Sequence, residues 1–298
     1  MHPSMPIIQN KVSVVLPVHN VNGEWLAQSI QSVLKQDYEN LELIVVNDAA
    51  TKDIDELVRS LGVHKYVKND RNRKLPYSLN RGFEVAEGEY HTWTSADNYM
   101  LPGMISRLKR ELTERRDVQI VCGKSFVMNE AGTSLPLAET DAAEEKVLKR
   151  AGTTFADPYV PRRRLYYGSI GACFLYYASV WEALNGYDEN LHGAEDFDFW
   201  LRASRQYAIG RIPSVEPPYY AYRIHSTSMS NTVIGCFSTM RVTVLEREVA
   251  LYPEDKDLAQ ALAACRKQLE GNKGTFGKLL SDVRSRRDRI AGKILRRR

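Results

Sequence analysis

The stretch that decides the fold reads Glu89-Tyr90-His91-Thr92-Trp93-Thr94-Ser95-Ala96-Asp97-Asn98. Its first half is rich in Tyr, Thr and Trp, a composition that predicts a short strand. A strand that stops at a lone acid places Asp97 at the carboxyl edge of a sheet, where open α/β folds bind ligands. An acid there can hold Mg²⁺ or Mn²⁺, hard cations that suit phosphate oxygens. The alternative is a turn in which Asp97 and Asn98 cap the next helix, with Pro102 at a typical first helical position.

Strand and helix patterns alternate through the first hundred residues. Near-continuous apolar runs predict buried strands, and apolar residues at helical spacing predict helices between them. The predicted strands cover 12–18, 41–46, 63–67 and the opening stretch, and the predicted helices cover 24–36, 53–61 and 76–87, the last closed by Gly88. This alternation predicts a mostly parallel central sheet, flanked by helices, with right-handed crossovers.

The second part of the chain is less regular. We expect helices at 103–114, 139–150, 178–184 and 197–205, and strands at 118–128, 208–212 and 219–224. The glycine- and aromatic-rich segment 165–177 would let the backbone approach a ligand closely. From about residue 235 the pattern is helical to the end. We therefore predict a mixed α/β domain over 1–232, with a more regular part at about 11–100 and a less regular part at about 101–232, followed by a basic helical extension over 233–298.

Composition limits the class of protein. The chain has 298 residues, of which 43% are hydrophobic and 26% charged, as is usual for a soluble globular protein. Its start has no apolar core of a signal peptide, and no apolar run approaches the ~20 residues that span a bilayer. The four cysteines have no metal-binding spacing and are expected to be reduced thiols. These features predict a cytoplasmic protein.

The charge is distributed unevenly. Residues 266–298 hold 12 Lys and Arg and 3 Asp and Glu, a net charge of +9, which leaves −5 for the remainder. In the last segment the apolar residues fall close to one helical face with basic residues around them. A basic amphipathic helix is typical of a membrane-surface element. The alternative is a solvated helix, packed on the body or partly disordered.

Three further residues stand where chemistry is expected. Asp48 follows the second strand and would face the same crevice as Asp97, where an acid can accept hydrogen bonds from a nucleobase or ribose. Asp196 opens a helix and is either a catalytic acid or a helix cap. His225 follows a strand and is either a metal ligand or a buried structural histidine. The run Pro17-Val18-His19-Asn20 replaces a glycine-rich phosphate loop, which argues against a nicotinamide enzyme or a P-loop NTPase.

Taken together, six motifs resemble those of family-2 glycosyltransferases of the GT-A fold in order and spacing. The motifs are Pro17-Val18-His19-Asn20, Val46-Asn47-Asp48, Leu75-Pro76-Tyr77-Ser78-Leu79-Asn80-Arg81-Gly82, Gly88-Glu89-Tyr90, Ser95-Ala96-Asp97-Asn98 and Gly193-Ala194-Glu195-Asp196. The resemblance covers roughly residues 11 to 230 and excludes the tail.

The resemblance implies an inverting transferase that moves a sugar from a nucleotide-diphosphate donor, with a UDP-sugar favoured, to a hydroxyl acceptor. Asp196 would be the catalytic base, and Asp97 and His225 would hold Mn²⁺ or Mg²⁺. The implied donor-binding residues are Pro17, Val18, His19, Asn20, Asp48, Arg73, Lys74, Ser95, Ala96 and Asp97. The part at about 11–100 would be the donor half of the domain and the part at about 101–232 the acceptor half, with Glu195, Gly171 and Ala172 on the acceptor side.

The implied acceptor is a saccharide or lipid-linked saccharide in surface polysaccharide or glycolipid synthesis. The enzyme would be peripheral on the inner face of an anionic membrane through its tail, with no nucleic acid as a partner. The enzyme alternative is a sugar-1-phosphate nucleotidyltransferase. The alternative from another class is a protein without turnover that binds a sugar nucleotide, or that engages nucleic acid or anionic lipid through its basic tail. The first should carry a glycine-rich basic loop after the first strand, and the second would hydrolyse no donor.

Two motifs depart from the family pattern. The usual first acid of the metal motif is missing, because Ser95 and Ala96 occupy that region and leave Asp97 alone. The usual two acids and a glycine of the nucleobase loop are replaced by Asn47-Asp48-Ala49. Either change could weaken donor binding, alter donor preference or leave more of the metal's shell to water.

Overall fold

The computed structural model describes residues 6–135, 149, 151–152, 154, 157–168, 170–213, 216–228 and 234–270. The chain divides into two compact units, Met1–Thr232 and Val233–Arg298. The predicted helix at 139–150 and the basic segment from about 273 fall almost wholly outside the described residues.

The described residues of the first unit form ten strands. They are β1 (Ile8–Val18), β2 (Leu41–Asn47), β3 (Lys65–Lys68), β4 (Gly88–Trp93), β5 (Tyr99–Met100), β6 (Ile120–Cys122), β7 (Ser125–Met128), β8 (Phe174–Tyr177), β9 (Ile209–Arg211) and β10 (Tyr220–Arg223). Its described helices are α1 (Gly23–Leu34), α2 (Asp55–Ser60), α3 (Lys74–Glu84), α4 (Met104–Glu114), α5 (Arg162–Leu165), α6 (Ala178–Ala183) and α7 (Glu195–Ala203).

The main sheet has the strand order β3-β2-β1-β4-β8-β6-β9. The four strands of the first hundred residues pair in parallel, as the alternating pattern predicts. β8 is antiparallel to both of its neighbours, β4 and β6, and thereby joins this half of the sheet to the second half. The sheet is therefore mixed but mostly parallel, which confirms the predicted fold class.

The apolar core lies between the sheet and the helices beside it. Val14, Leu16, Leu43 and Val45 are fully buried on the central strands, and Ile30 packs on them from α1. This is the burial expected of parallel strands covered on both faces.

On the other side of β1, helix α3 packs unusually close. A Cβ atom placed on Gly82 would lie 2.4 Å from the Val15 side chain, so only glycine fits at this contact. This close approach fixes the position of α3 and of the loop that precedes it.

A second, three-stranded sheet has the order β5-β10-β7. Ala221 on β10 pairs with Tyr99 on β5 in an antiparallel register. Residues that directly precede β5 therefore lie beside residues that directly follow β10. The sequence patterns did not predict this sheet, yet it brings Asp97 and His225 together.

Several predicted boundaries are wrong. The single strand predicted at 118–128 is two strands, β6 and β7, in different sheets, because the chain turns at Gly123. Gly88 does not close a helix but starts β4. Helix α7 begins at Glu195 rather than 197, so Asp196 lies inside the first turn, and the cap residue is Ala194, which has no capping side chain.

The described part of the second unit is helical, as predicted. It contains α8 (Ile234–Leu251) and a further helix over residues 256–270. Arg266 pairs with Glu246 across these helices at 2.6 Å. Among all described residues, no helix is long and apolar enough to cross a membrane.

Candidate active site

The carboxyl edge of the main sheet gathers the predicted site. Asp97 follows β4, and its carboxylate Oδ2 accepts a hydrogen bond from His225 Nε2 at 2.8 Å. The two residues are 128 positions apart in sequence. The Asp97 side chain is 22% exposed and the His225 side chain 7%, so the pair is largely buried but can still be reached from solvent. The structure thus places together the two residues expected to hold a metal.

The His225 ring is fixed from two other directions. Its Nδ1 lies 3.0 Å from the Thr227 hydroxyl, and its ring packs on Trp25 with centroids 4.8 Å apart. A hydroxyl can donate or accept. Thr227 can therefore accept from Nδ1–H when Nε2 is free to bind a cation, and the ring need not rotate.

A divalent cation fits this donor set. One carboxylate and one imidazole are typical ligands of Mn²⁺, and hard oxygen ligands from a diphosphate and water complete such a shell. No group of three or more His, Cys, Asp or Glu side chains suited to a metal occurs within the described ranges. Among the described residues Asp97 and His225 are thus the candidate ligands, as the missing first acid of the motif implies.

The loop before α3 is organised by Asp48. Its Oδ1 accepts from Arg73 N at 2.7 Å and from Asn69 Nδ2 at 2.8 Å, and its Oδ2 accepts from Lys74 N at 2.9 Å. The residue is 4% exposed. Asp48 therefore shapes the segment that carries Arg73 and Lys74, the basic residues expected to reach the donor. Its direct contact with a base stays a prediction.

His19 is held in one tautomer. Its Nδ1 lies 2.9 Å from the carbonyl oxygen of Asp48, which can only accept, so Nδ1 carries the proton. Its Nε2 faces the Asn72 amide nitrogen at 2.9 Å. The Asn72 oxygen accepts from Lys74 N, which sets the orientation of that amide. His19 therefore ties the end of β1 to the 69–74 loop.

The remaining predicted donor residues lie along the same edge. Pro17 and Val18 end β1, and Asn20 Oδ1 accepts from Thr51 N at 3.0 Å. Ser95 carbonyl oxygen accepts from the Ser29 hydroxyl at 2.9 Å, and Ala96 is buried in the core. Ser95 and Ala96 thus anchor the turn before Asp97 to α1.

The two acids of α7 have different surroundings. Asp196 is half-buried, and its Oδ1 accepts from Phe197 N at 2.7 Å. Glu195 is 3% exposed, and its Oε2 accepts from Gly193 N at 2.6 Å. Burial and then the neighbouring Asp196 charge raise the pKa of Glu195 to about 8. The first turn of α7 thus holds a protonated acid beside a more exposed one.

Side chains of the acceptor half link α7 to the edge of β4. The Tyr187 hydroxyl accepts from Trp93 Nε1 at 3.0 Å, and its pKa is raised by burial and by the charges of Asp196 and Glu195. Burial and the Lys74 charge lower the pKa of His192, while the Asp48 charge opposes this shift. The segment that leads into α7 is therefore close to both β4 and the donor-side loop.

The predicted acceptor-side residues of segment 165–177 lie before β8. Gly171 is exposed, has a φ of +84°, and has open space around its Cβ position. Ala172 packs against the core. The acceptor role of both residues stays a prediction.

Four residues at this edge were missed by the sequence reasoning: Trp25, Asn72, Asn80 and Arg223. Asn80 lies inside one of the six motifs, and Asn72 lies shortly before the same motif. An amide side chain in such a place could have indicated a hydrogen bond to a neighbouring segment. Arg223 and Trp25 carry no local signal, because their roles depend on contacts with Asp97 and His225 that only the second sheet creates.

An α/β sheet with acidic side chains at its carboxyl edge is typical of enzymes and binding proteins that hold a ligand at that edge. The family model of "Glycosyl transferase family 2" matches residues 13–181, more than half of the chain. The protein belongs to this family and is a glycosyltransferase, which confirms the resemblance seen in the motifs.

Two relatives show the extent of the likeness in sequence. The chain is 26% identical over 227 residues to the glycosyltransferase RP339 of Rickettsia prowazekii, which covers 75% of this chain and 67% of that protein. It is 25% identical over 264 residues to the glycosyltransferase GlyA of Streptococcus pneumoniae, covering 85% and 37%. The chain thus spans about two thirds of the first relative and a smaller part of the second.

Two solved structures share the fold. Staphylococcus aureus TarS 1-349 in complex with UDP-GlcNAc superposes with a TM-score of 0.64 at 18% identity, covering 85% of this chain and 71% of TarS. The mannosyltransferase PcManGT from Pyrobaculum calidifontis, in complex with GDP-Man and Mn²⁺, has a TM-score of 0.60 at 16% identity, covering 93% and 82%. At these identities the likeness shows the GT-A fold alone.

Proposed function

We propose that the protein is an inverting, metal-assisted glycosyltransferase that moves a sugar from a nucleotide-diphosphate donor to a hydroxyl of a saccharide or lipid-linked saccharide. The observation that carries this proposal is the contact of Asp97 with His225 at the carboxyl edge of β4. Family membership supports the reaction class, and this pair supports a site for the cation and the diphosphate.

Each side chain of the site has a part in this chemistry. Asp97 and His225 would hold Mn²⁺ or Mg²⁺, and the bound cation would offset the negative charge that gathers on a departing nucleoside diphosphate. Asp196 takes the proton of the acceptor hydroxyl, because a sugar hydroxyl is a weak nucleophile. Inversion requires base and leaving group on opposite faces of the sugar, which suits acids from two halves of the domain.

The favoured donor is a UDP-sugar. TarS, which shares the fold, is described with UDP-GlcNAc, whereas PcManGT is described with GDP-Man. The loop organised by Asp48 and His19 would hold the nucleoside, and Arg73 or Lys74 would meet the base or phosphates. The acceptor pathway we propose is surface polysaccharide or glycolipid synthesis on the inner face of a membrane.

A thermal-shift screen tests the proposal. UDP-, GDP- and dTDP-sugars are added with and without Mn²⁺, because a ligand that binds the native state raises its melting temperature. We expect a rise with a UDP-sugar that needs Mn²⁺ and is lost in Asp97→Ala. His225→Ala should lose part of it.

The matched control is Asp37→Ala. Asp37 is an exposed acid that accepts one hydrogen bond from Ser106 and lies away from the sheet edge. It should keep the full Mn²⁺-dependent shift. Equal shifts in Asp97→Ala and the parent would contradict the metal role. Donor binding without hydrolysis or transfer would instead favour a sugar-nucleotide-binding protein without turnover.

A further inference from the structure

Arg223 lies at the end of β10, two residues before His225, and is 4% exposed. Its guanidinium donates to three different segments. Nε donates to the Asp97 carbonyl oxygen at 3.0 Å, Nη1 to the Glu130 carbonyl oxygen at 3.0 Å, and Nη2 to Gln28 Oε1 at 2.8 Å. One side chain thus joins the turn at Asp97, the 129–132 turn and helix α1.

The acceptors of this guanidinium are all neutral. In the described bonds they are two backbone carbonyls and one amide oxygen, with no carboxylate among them. Burying a cation without an ionic partner is costly, and a hydrophobic side chain is often as good for stability. The arginine at this position is therefore better explained by the segments that it holds together than by a contribution to the free energy of unfolding.

Arg223 is linked to both members of the Asp97–His225 pair, to Asp97 directly and to His225 through one intervening ring. It reaches Asp97 directly through the backbone carbonyl. It reaches His225 through Trp25, since the guanidinium carbon stacks 4.9 Å from the centre of that ring and the His225 ring packs on it at 4.8 Å. The backbone N–H of Arg223 also donates to Asn98 Oδ1 at 2.7 Å, which fixes the chain on the far side of Asp97.

We propose that Arg223 is a positioning residue: it holds the Asp97 carboxylate and the His225 imidazole in the geometry that binds the cation. The contacts of Arg223 do not depend on the proposed function, but their effect on cation binding rests on it. Residues that orient metal ligands typically change metal affinity 10–100-fold when they are removed.

The first test needs neither metal nor nucleotide. In protein labelled with ¹⁵N-histidine, the hydrogen-bonded Nε2–H of His225 is assigned by its loss in His225→Gln. We expect Arg223→Met to shift or remove this resonance, because the ring loses its support. Arg107→Met is the matched control, since Arg107 is also largely buried, with a side chain 10% exposed and bonds to Glu111 and Glu216. It should leave the resonance unchanged.

The second test measures Mn²⁺-dependent binding of UDP by calorimetry. We expect affinity to fall about 10–100-fold in Arg223→Met and several-fold in Arg223→Lys, whose ammonium keeps the charge but lacks the fork of donors. Arg107→Met should match the parent. Two of the three acceptors left behind belong to Gln28 and Glu130, which line an open cleft of about 630 Å³, so water can replace the guanidinium there and the variants should fold.

The outcomes separate the two proposals. An unchanged His225 resonance in Arg223→Met overturns the positioning role, whatever the protein binds. If that variant does not fold, an unchanged resonance in Arg223→Lys does the same. A shifted resonance in a protein whose parent binds no nucleoside diphosphate supports the positioning role and contradicts the proposed donor.

Discussion

Asp196 occupies the first turn of α7, where the partial positive charge of a helix N-terminus stabilises a carboxylate. Its side chain is less buried than that of Glu195, and its charge is felt by the Tyr187 hydroxyl. These surroundings suit an ionised base that meets the acceptor. Glu195, protonated and buried, suits a support for the turn.

We expect Asp196→Asn to lower kcat by about 10²–10⁴, the loss typical of a general base, with donor affinity nearly unchanged. The amide keeps the shape and one acceptor oxygen but cannot take a proton. Steady-state kinetics and donor calorimetry check this. The matched control is Glu195→Gln, which should keep most activity. A parental rate in Asp196→Asn, or a large loss in Glu195→Gln alone, would move the role to Glu195.

Glu195 should make stability depend on pH. Burial and then the neighbouring Asp196 charge raise its pKa to about 8 in the folded protein, above the ordinary value of 4.5. Between these values the unfolded chain has released the proton and the folded one keeps it, so stability falls as pH rises from about 4.5 to 8. Glu195→Gln removes this loss. The melting temperature of the variant relative to the parent should therefore rise across the window, and a constant difference would contradict the raised pKa.

Ala49 carries local strain. Its φ is +52°, in the left-handed region that costs an L-residue about 1–2 kcal/mol. Ala49→Gly should relieve this strain, while the greater freedom of glycine in the unfolded chain offsets a smaller part of the gain. We expect the free energy of unfolding, measured in urea, to rise by about 0.5–1 kcal/mol. The control Ala27→Gly, within α1, should instead lose about 1 kcal/mol. Destabilisation by both changes would show that the Ala49 methyl group is needed.

At the scale of the elements, α3 connects the two halves of the domain. Asn80 on α3 donates to the Tyr187 carbonyl and accepts from the Tyr187 N–H, both at 2.9 Å. Tyr187 begins the segment that leads into α7. A single amide therefore fixes the acid-bearing helix relative to the sheet.

Asn80→Ala should leave two buried backbone groups without partners, at about 1–3 kcal/mol each. We expect a loss of about 2–4 kcal/mol in urea unfolding and a fall in kcat larger than the rise in donor KM. Asn40→Ala, which removes an exposed amide bonded to Gln9, should change neither by much. A variant with parental stability would show that Tyr187 finds other partners.

At the scale of the whole molecule, charge separates the tail from the body. We expect residues 273–298 to attach the enzyme to an anionic membrane, because each Lys or Arg near such a surface contributes ~1 kcal/mol and salt screens the effect. A protein truncated at residue 272 should keep activity on a soluble acceptor.

Vesicle sedimentation checks this at low and high salt. The full chain should bind vesicles that contain an anionic lipid, and should bind neutral vesicles weakly. The truncated chain should bind neither. Equal binding of both chains to anionic vesicles would rule out the tail as the attachment site.

The sequence by itself determined the alternating strands and helices, the fold class and the acids at the strand ends. These follow from local periodicity and from the rule that parallel strands end at one edge. The motif resemblance named the family that the family model confirms. The positions of Asp48 and His19 at that edge also followed from the sequence, because each residue directly follows its strand. Their contacts with a donor stay predictions.

Only the tertiary structure decided how distant segments meet. The contact of Asp97 with His225, the break of 118–128 into two sheets and the antiparallel β8 all depend on strand pairing between remote parts of the chain. The raised pKa of Glu195 and the burial of Arg223 depend on the side chains that the fold packs around them. Neither long-range pairing nor burial is encoded in a short stretch, since both are set by what the rest of the fold packs against it.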